Sequence, residues 1–297
     1  MIVAIASGKG GTGKTTVAVS LALSLSDRRP LLVDCDVEEP NAALFLNPVL
    51  AERREVGRPV PEVDLARCTG CGRCAEVCQY HAVAVVGQKV LVFPELCHGC
   101  GSCAFQCPTG AIKEVLSPMG VLERGWAGPV EFAQGTLNVG EAMAVPVIRQ
   151  LKGWAIPPDA RDRPVILDAP PGTSCPVVET MRGADFVLLV TEPTPFGLHD
   201  LQLAVEVARD GLGLPVGVVI NRDGVGDRRV EAYCAAEGIP VLLRIPHDRR
   251  IAEAYSEGKP LVAAQPEYRE RFRALWEEVA ARVRRGGPLA GNHHPTR

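Results

Sequence analysis

Two sets of residues in this sequence have the types and spacing to do chemistry. The first is the unbroken run Gly8, Lys9, Gly10, Gly11, Thr12, Gly13, Lys14, Thr15 and Thr16. Glycines let successive backbone N–H groups turn inward around phosphate oxygens, and a helix opening at the end of such a loop adds its positive pole. In a loop of this pattern Lys14 reaches the β- and γ-phosphates of a nucleotide and the Thr15 hydroxyl ligates Mg2+. The second set is cysteine. Cys68, Cys71, Cys74 and Cys78 follow an x2-x2-x3 spacing that returns as Cys97, Cys100, Cys103 and Cys107, shifted by 29 residues.

The cysteine repeat extends to Gly70/Gly99, Gly72/Gly101, Ala75/Ala104 and Ala82/Ala111 at the same shift. It resembles a bacterial two-cluster ferredoxin, in which three close cysteines cap one corner of a cubane and the fourth ligand comes from the other half. That resemblance implies two 4Fe-4S clusters, one on Cys68, Cys71, Cys74 and Cys107, the other on Cys97, Cys100, Cys103 and Cys78. Four thiolates also suit Zn2+, but this spacing repeated twice is a cubane pattern rather than a zinc-ribbon one. Gln79 stands where proline normally follows the fourth cysteine, as Pro108 does after Cys107.

Both sets need a scaffold. Short β-branched runs at Ile2–Ala6, Leu31–Val33, Val165–Leu167, Phe186–Val190, Val216–Ile220 and Val241–Leu243 alternate with helical stretches at Lys14–Leu25, Leu198–Asp210, Arg229–Glu237 and Glu267–Arg285. Such alternation predicts an α/β fold with a doubly wound, mostly parallel sheet. The glycine-rich loop follows the first strand and opens the first helix. Between about Gly57 and Leu116 the rhythm gives way to cysteine pairs, so residues 58–116 read as a small inserted α+β ferredoxin-like domain. Residues 1–57 and 117–285 then form one discontinuous nucleotide-binding domain, rejoined through the turn-rich Ser117–Gly120. Residues 286–297 read as a frayed tail, with His293 and His294 solvated.

Lys9, within the glycine loop, makes the run resemble the deviant Walker A loop of the MinD/ParA/Mrp and nitrogenase iron-protein superfamily. In that superfamily the early lysine crosses a dimer interface to the partner's nucleotide, so the resemblance implies an ATP-dependent homodimer. Asp34 and Asp36, at the end of an apolar strand, match the family's first switch. By that match Asp36 orients the attacking water, while Asp34 supports the Mg2+ shell or the loop. Asp168, in Val165-Ile-Leu-Asp-Ala-Pro-Pro-Gly172, matches the second switch and holds Mg2+ directly or through water. Asn221 and Arg222 resemble the adenine-reading segment, and Pro246 to Asp248 the loop covering the base. Cys175 sits where the nitrogenase iron protein carries a bridging cysteine, but the segment corresponding to the second one, Asn138 to Ala142, offers Glu141 instead. Cys35 and Cys234 read as small buried hydrophobes.

A net charge of −3 supplies no global basic field, so no nucleic acid is expected. No stretch reaches the roughly 18 apolar residues of a membrane span, and no signal peptide opens the chain, so a cytoplasmic location without membrane attachment is expected. In that compartment eleven cysteines point to metal or redox chemistry rather than to disulfides. The expected function is an ATPase whose nucleotide state gates electron transfer through two clusters to or from an unidentified redox or iron–sulfur partner. The alternatives are an iron–sulfur carrier of the Mrp type and a MinD-like positioning protein.

Overall fold

A computed structural model describes residues 1–158 and 162–286, so the tail beyond them lies outside the described residues. In chain order the strands are β1 (Ile2–Ala6), β2 (Leu31–Asp34), β3 (Val49–Val63), β4 (Val83–Val86), β5 (Lys89–Val92), β6 (Ile112–Ala127), β7 (Val130–Leu137), β8 (Val165–Asp168), β9 (Phe186–Thr191), β10 (Val216–Asp223) and β11 (Val241–Pro246). Nine of them form one sheet in the order β11-β10-β9-β1-β8-β2-β7-β6-β3. From β11 to β7 all pairings are parallel; β6 joins β7, and β3 joins β6, in the antiparallel sense.

The central strands are covered on both faces, which is why they read as unbroken apolar runs: all four residues of β2 and of β8 are buried. Helices α1 (Lys14–Ser24), α2 (Ala42–Leu46), α10 (Leu261–Ala264) and α11 (Tyr268–Gly286) pack on one face. Helices α5 (Val145–Ala155), α6 (Cys175–Met181), α7 (Pro195–Val205) and α8 (Arg229–Ala236) cover the other. Short helices α3 (Arg73–Glu76) and α4 (Ser102–Phe105) lie in the cysteine segment, and α9 (Arg249–Ser256) follows β11. On α11 the stripe of Tyr268, Phe272, Leu275, Trp276 and Val279 is buried in the core, each side chain contributing about 1.5–3 kcal/mol by leaving water.

Strands β3, β6 and β7 escape the pattern of short apolar runs. At the sheet edge, β3 carries Glu52, Arg53, Arg54 and Glu55 in the open, and charges of this kind protect an edge from further pairing. Pro59 and Pro61, two residues apart in β3, occupy the side of a strand where no ladder N–H is missed. Ser117 to Gly120, read from sequence as a turn, belongs instead to β6, where Met119 is fully buried and the register shifts opposite Val56 and Gly57.

Pairing of β6 with β7 stops at Gly120 opposite Leu137, whereas β3 and β6 stay paired out to Val63 opposite Ile112. The outer part of β3 and β6 is therefore a two-stranded ribbon leaving the main sheet. Residues 64–111 hang from its end, with β4 and β5 as a separate hairpin. Helix α7 also differs from expectation: it starts at Pro195, three residues early, because Thr194 accepts a hydrogen bond from the Gly197 N–H at 3.0 Å as an N-cap.

Candidate functional site

The glycine loop joins β1 to α1 where the winding reverses, since β1 lies between β8 and β9 in the sheet. Two of its glycines are sterically required. A Cβ on Gly8 would come within 2.1 Å of the Asp200 carbonyl oxygen, and Gly13 adopts φ +92° against the Asn221 side chain. The loop opens into a cleft of about 530 Å3. Gly10, Gly11, Gly13, Lys14, Thr15 and Thr16 line its phosphate end; Asp36 and Pro171 flank it. Asn221, Arg222, Pro246 and Asp248 line the other end.

Lys14 is buried, and desolvation pushes its ammonium below the ordinary lysine range despite the opposing charges of Asp168 and Asp36. A buried cation facing two carboxylates is held for an anionic ligand rather than for solvent. Asp168, fully buried at the end of β8, is pushed far above the usual carboxylate range, by burial first and then by neighbouring Asp34. Its Oδ1 has no hydrogen-bond partner, nor does the buried Thr12 Oγ1. Thr15 hydrogen-bonds Asp168. A hydroxyl beside a buried carboxylate with one oxygen unpartnered is a donor set that fits a hard divalent cation such as Mg2+.

Asp34 and Asp36 have different surroundings. The Asp34 carboxylate is buried and accepts the backbone N–H groups of Asp36 at 3.1 Å and of Asn41 and Ala42 at 3.0 Å. Burial nonetheless lifts it to about 7. Asp34 thus braces the loop between β2 and α2. Asp36 is half-buried and faces the cleft; desolvation raises it, and Lys14 acts in the opposite direction.

Lys9 turns away from the phosphate end toward its own chain, with Nζ 3.3 Å from Glu192. The same carboxylate, only 10% exposed, takes Arg222 Nη1 at 2.6 Å. Asn221 donates to the Thr12 carbonyl at 2.8 Å, which ties the base-side segment to the glycine loop. Asp248 caps α9, accepting from the Arg250 N–H at 2.8 Å, and the Arg250 side chain lowers it to about 2. Sequence reasoning missed Glu39, Asn41, Ile251, Ala252 and Tyr255, which also line the cleft. The signal for the last three was Asp248 as an N-cap followed by Ile251 and Tyr255 four apart, one face of a helix.

Two small cavities mark the cysteine segment. One is lined by Cys68, Cys71, Cys74 and Cys107, the other by Cys97, Cys100, Cys103 and Cys78. Each thus gathers three thiols from one motif and one from the other. Backbone N–H groups point at the sulfurs: Ala82 to Cys78 at 3.2 Å, Ala111 to Cys107 at 3.3 Å and Gly99 to Cys97 at 3.4 Å. Donors aimed at sulfur suit thiolate ligands. Among the described residues no three His, Cys, Asp or Glu side chains are gathered closely enough for a single metal ion. The thiols surround a space rather than a point.

Arg58 fastens this segment to the body. It is 5% exposed, donating to the Glu141 carboxylate at 3.1 Å and to the Pro94 carbonyl, just before Cys97, at 2.8 Å. Glu141 therefore stands in an ion pair. Cys175 is exposed at the start of α6, while Cys35 and Cys234 are buried, with thiols pushed up to about 12 and about 11.

The sheet, the glycine loop at its winding reversal and the cleft beside it define a nucleotide-binding protein of the P-loop α/β class. The chain belongs to the CobQ/CobB/MinD/ParA nucleotide binding domain family, whose model matches residues 3–261. It is 31% identical over 87% of its length to an uncharacterized protein of Methanocaldococcus jannaschii, covering 90% of that protein. It is 25% identical to an iron-sulfur cluster carrier protein of Synechocystis sp., covering 95% of this chain and 70% of that one. Among solved structures, the septum site-determining protein MinD of Pyrococcus horikoshii with Mg-ADP matches at a TM-score of 0.55 and 23% identity, covering 94% of this chain and 95% of that chain. The cell division ATPase MinD of Pyrococcus furiosus matches at 0.57 and 24%, covering 94% and 98%. The structural matches carry the fold. Among the described residues no helix is long and apolar enough to cross a membrane.

Proposed function

We propose that this protein is an ATPase in which nucleotide state gates electron transfer through two 4Fe-4S clusters, held in an inserted module, to or from a protein partner. The observation that carries the reading is the pairing, in one chain, of a P-loop cleft with two cavities that each collect four cysteines across the repeat. Thiols spread around a space suit a cubane better than one zinc ion.

In the cleft the glycine-loop N–H groups and Lys14 bind and orient the phosphates, and Asp36 holds the attacking water. Mg2+, when bound by Thr15 and Asp168, supplies charge neutralisation. Asn221, Arg222, Pro246 and Asp248 enclose the base side. Lys9 serves a partner's nucleotide in an ATP-dependent homodimer, which requires it to leave Glu192. Each cluster, when bound, supplies a one-electron store. Two connections run from the nucleotide-binding body to the thiol segment: the chain from Asp36 through α2 into β3, and the Arg58 contacts with Glu141 and Pro94.

Anaerobic purification with metal analysis tests the reading: about eight iron atoms per chain are expected for two cubanes, and stoichiometric zinc contradicts it. A second reading, an iron–sulfur cluster carrier, is favoured by the relative of that name. It predicts cluster transfer to an apo-protein, whereas the redox reading predicts that all iron stays with the chain.

A further inference from the structure

We propose that the two thiol cavities are electrostatically graded, with Arg73 and Glu114 setting the grade, so that an electron reaching the module settles at Cys68, Cys71, Cys74 and Cys107. The proposal rests on the reading that each cavity holds a 4Fe-4S cluster.

The 29-residue repeat provides an internal control, because positions in one half have counterparts in the other. Several lining counterparts are alike, as Gly70 and Gly99, Gly72 and Gly101, Ile112 and Val83; others differ without a fixed charge, as Thr69 and His98 or Thr109 and Tyr80. The charged positions differ too. Arg73 lines the first cavity, and its counterpart Ser102 lines the second. Glu114 lines the second cavity; its counterpart Val85 packs beside Cys74 at the first. Arg67 donates to the carbonyl of Thr109, a lining residue of the first cavity, at 2.9 Å, and its counterpart is Leu96.

All three differences act in the same direction. The Glu114 carboxylate oxygens lie 3.5 Å from where a Cβ on Gly101 would sit, beside Cys100, and its charge is felt at that thiol. A fixed negative charge disfavours adding an electron nearby, and a fixed positive charge favours it. Glu76 opposes the trend, pairing with Arg73 at 3.3 Å; Arg73 and Glu76 are 51% and 64% exposed, so water screens both, but only Arg73 lines the cavity. The step moves one electron and no proton. With clusters bound by Cys78, Cys97, Cys100 and Cys103 and by Cys68, Cys71, Cys74 and Cys107, an electron given up by a low-potential one-electron donor would be shared between the two, and the fixed charges of Arg73 and Glu114 would favour its residence at the second of these sets. The first set is also the one that Arg58 fastens to the nucleotide-binding body.

The test is an anaerobic redox titration of the whole protein with dithionite and mediators, read by low-temperature EPR, on wild type, Glu114→Gln and Arg73→Gln, with iron counted in each. Two one-electron waves are expected in wild type. Where the lower one is half reduced, the upper one should be reduced over oxidised by tenfold or more, a gap of about 59 mV. Glu114→Gln should raise only the lower wave, and Arg73→Gln should lower only the upper. Coincident wild-type waves, or variants that move the wrong wave, with eight iron retained, overturn the grading alone. Absence of iron from wild type overturns the cluster reading, and the grading with it.

Discussion

Around the nucleotide cleft, side chains are fixed by packing: β1, β2 and β8 are almost wholly buried, Asp34 and Asp168 stand at the ends of β2 and β8, and the buried Lys14 opens α1. Around the thiol cavities there is little to pack. The buried apolar groups there are few, Val60 and Ala82 beside Cys97 and Val83 and Ile112 beside Cys74, with Val63, Val85, Val90 and Ala104 only partly buried against them, while Leu65, Leu96 and Phe105 face solvent. On the proposed reading, a core that small leaves the cysteines to be organised by the clusters they bind, so that one site is built before its ligand arrives and the other with it.

The comparison breaks most visibly if iron is removed. After chelation under reducing conditions, amides of α3, α4, β4 and β5 should exchange at near-unfolded rates while those of β1, β8 and β9 keep their protection, as hydrogen exchange can show residue by residue. Equal protection of both regions would mean that the module has a core of its own. The converse perturbation comes next. Lys14→Ala should weaken nucleotide binding, and Asp36→Ala should bind ATP yet hydrolyse it more slowly, each by a factor on the order of a hundred. Iron content should stay unchanged in both. Lost iron in either variant would show that the two regions do not fold independently.

Lys9→Ala tests whether a second chain completes the cleft. It should bind ATP but stay monomeric in sedimentation experiments in which the wild type dimerises with ATP and not with ADP. A fully active monomer would assign Lys9 to its Glu192 pair alone.

The smallest effect is a matter of pH within the frame. Burial raises the Glu179 carboxyl, but the hydrogen bonds and charge of Arg149, helped by Arg182, leave it below the ordinary glutamate range. A depressed folded pKa contributes stability that is present above the unfolded pKa and lost as pH falls through the folded one. Glu179→Gln should therefore cost about 1 kcal/mol or less at neutral pH, since Arg149 is 65% exposed, and the cost should fade in acid. Denaturant titrations at stepped pH would show it; a cost that grows in acid contradicts the sign.

The same contrast explains what was legible in the sequence. Strands β1, β2, β8, β9, β10 and β11 announce themselves because a strand buried on both faces is an unbroken apolar run. The glycine loop and the cysteine repeat are legible because chemistry fixes their spacing. Strands β3 and β6 were not, because a sheet edge is free to carry Arg53 and Glu55, and the ribbon beyond it Pro59 and Pro61. Glu192 was invisible for another reason: its partners Lys9 and Arg222 meet it only once β1, β9 and β10 lie side by side. Tyr255 and Ile251 reach the cleft on a helix that no apolar run announces.

The central claim is that the two regions, differently built, are coupled. It is tested most directly by measuring the iron–sulfur midpoint potentials of ATP-bound Asp36→Ala against those of ADP-bound wild type. A coupling of about 1–3 kcal/mol, typical of linked sites, shifts a one-electron potential by about 40–130 mV, and by reciprocity reduction should change ATP affinity by the same free energy. A shift in that range is the predicted result. Potentials that are the same in both nucleotide states would contradict the account and leave the cysteine segment a passenger on the ATPase.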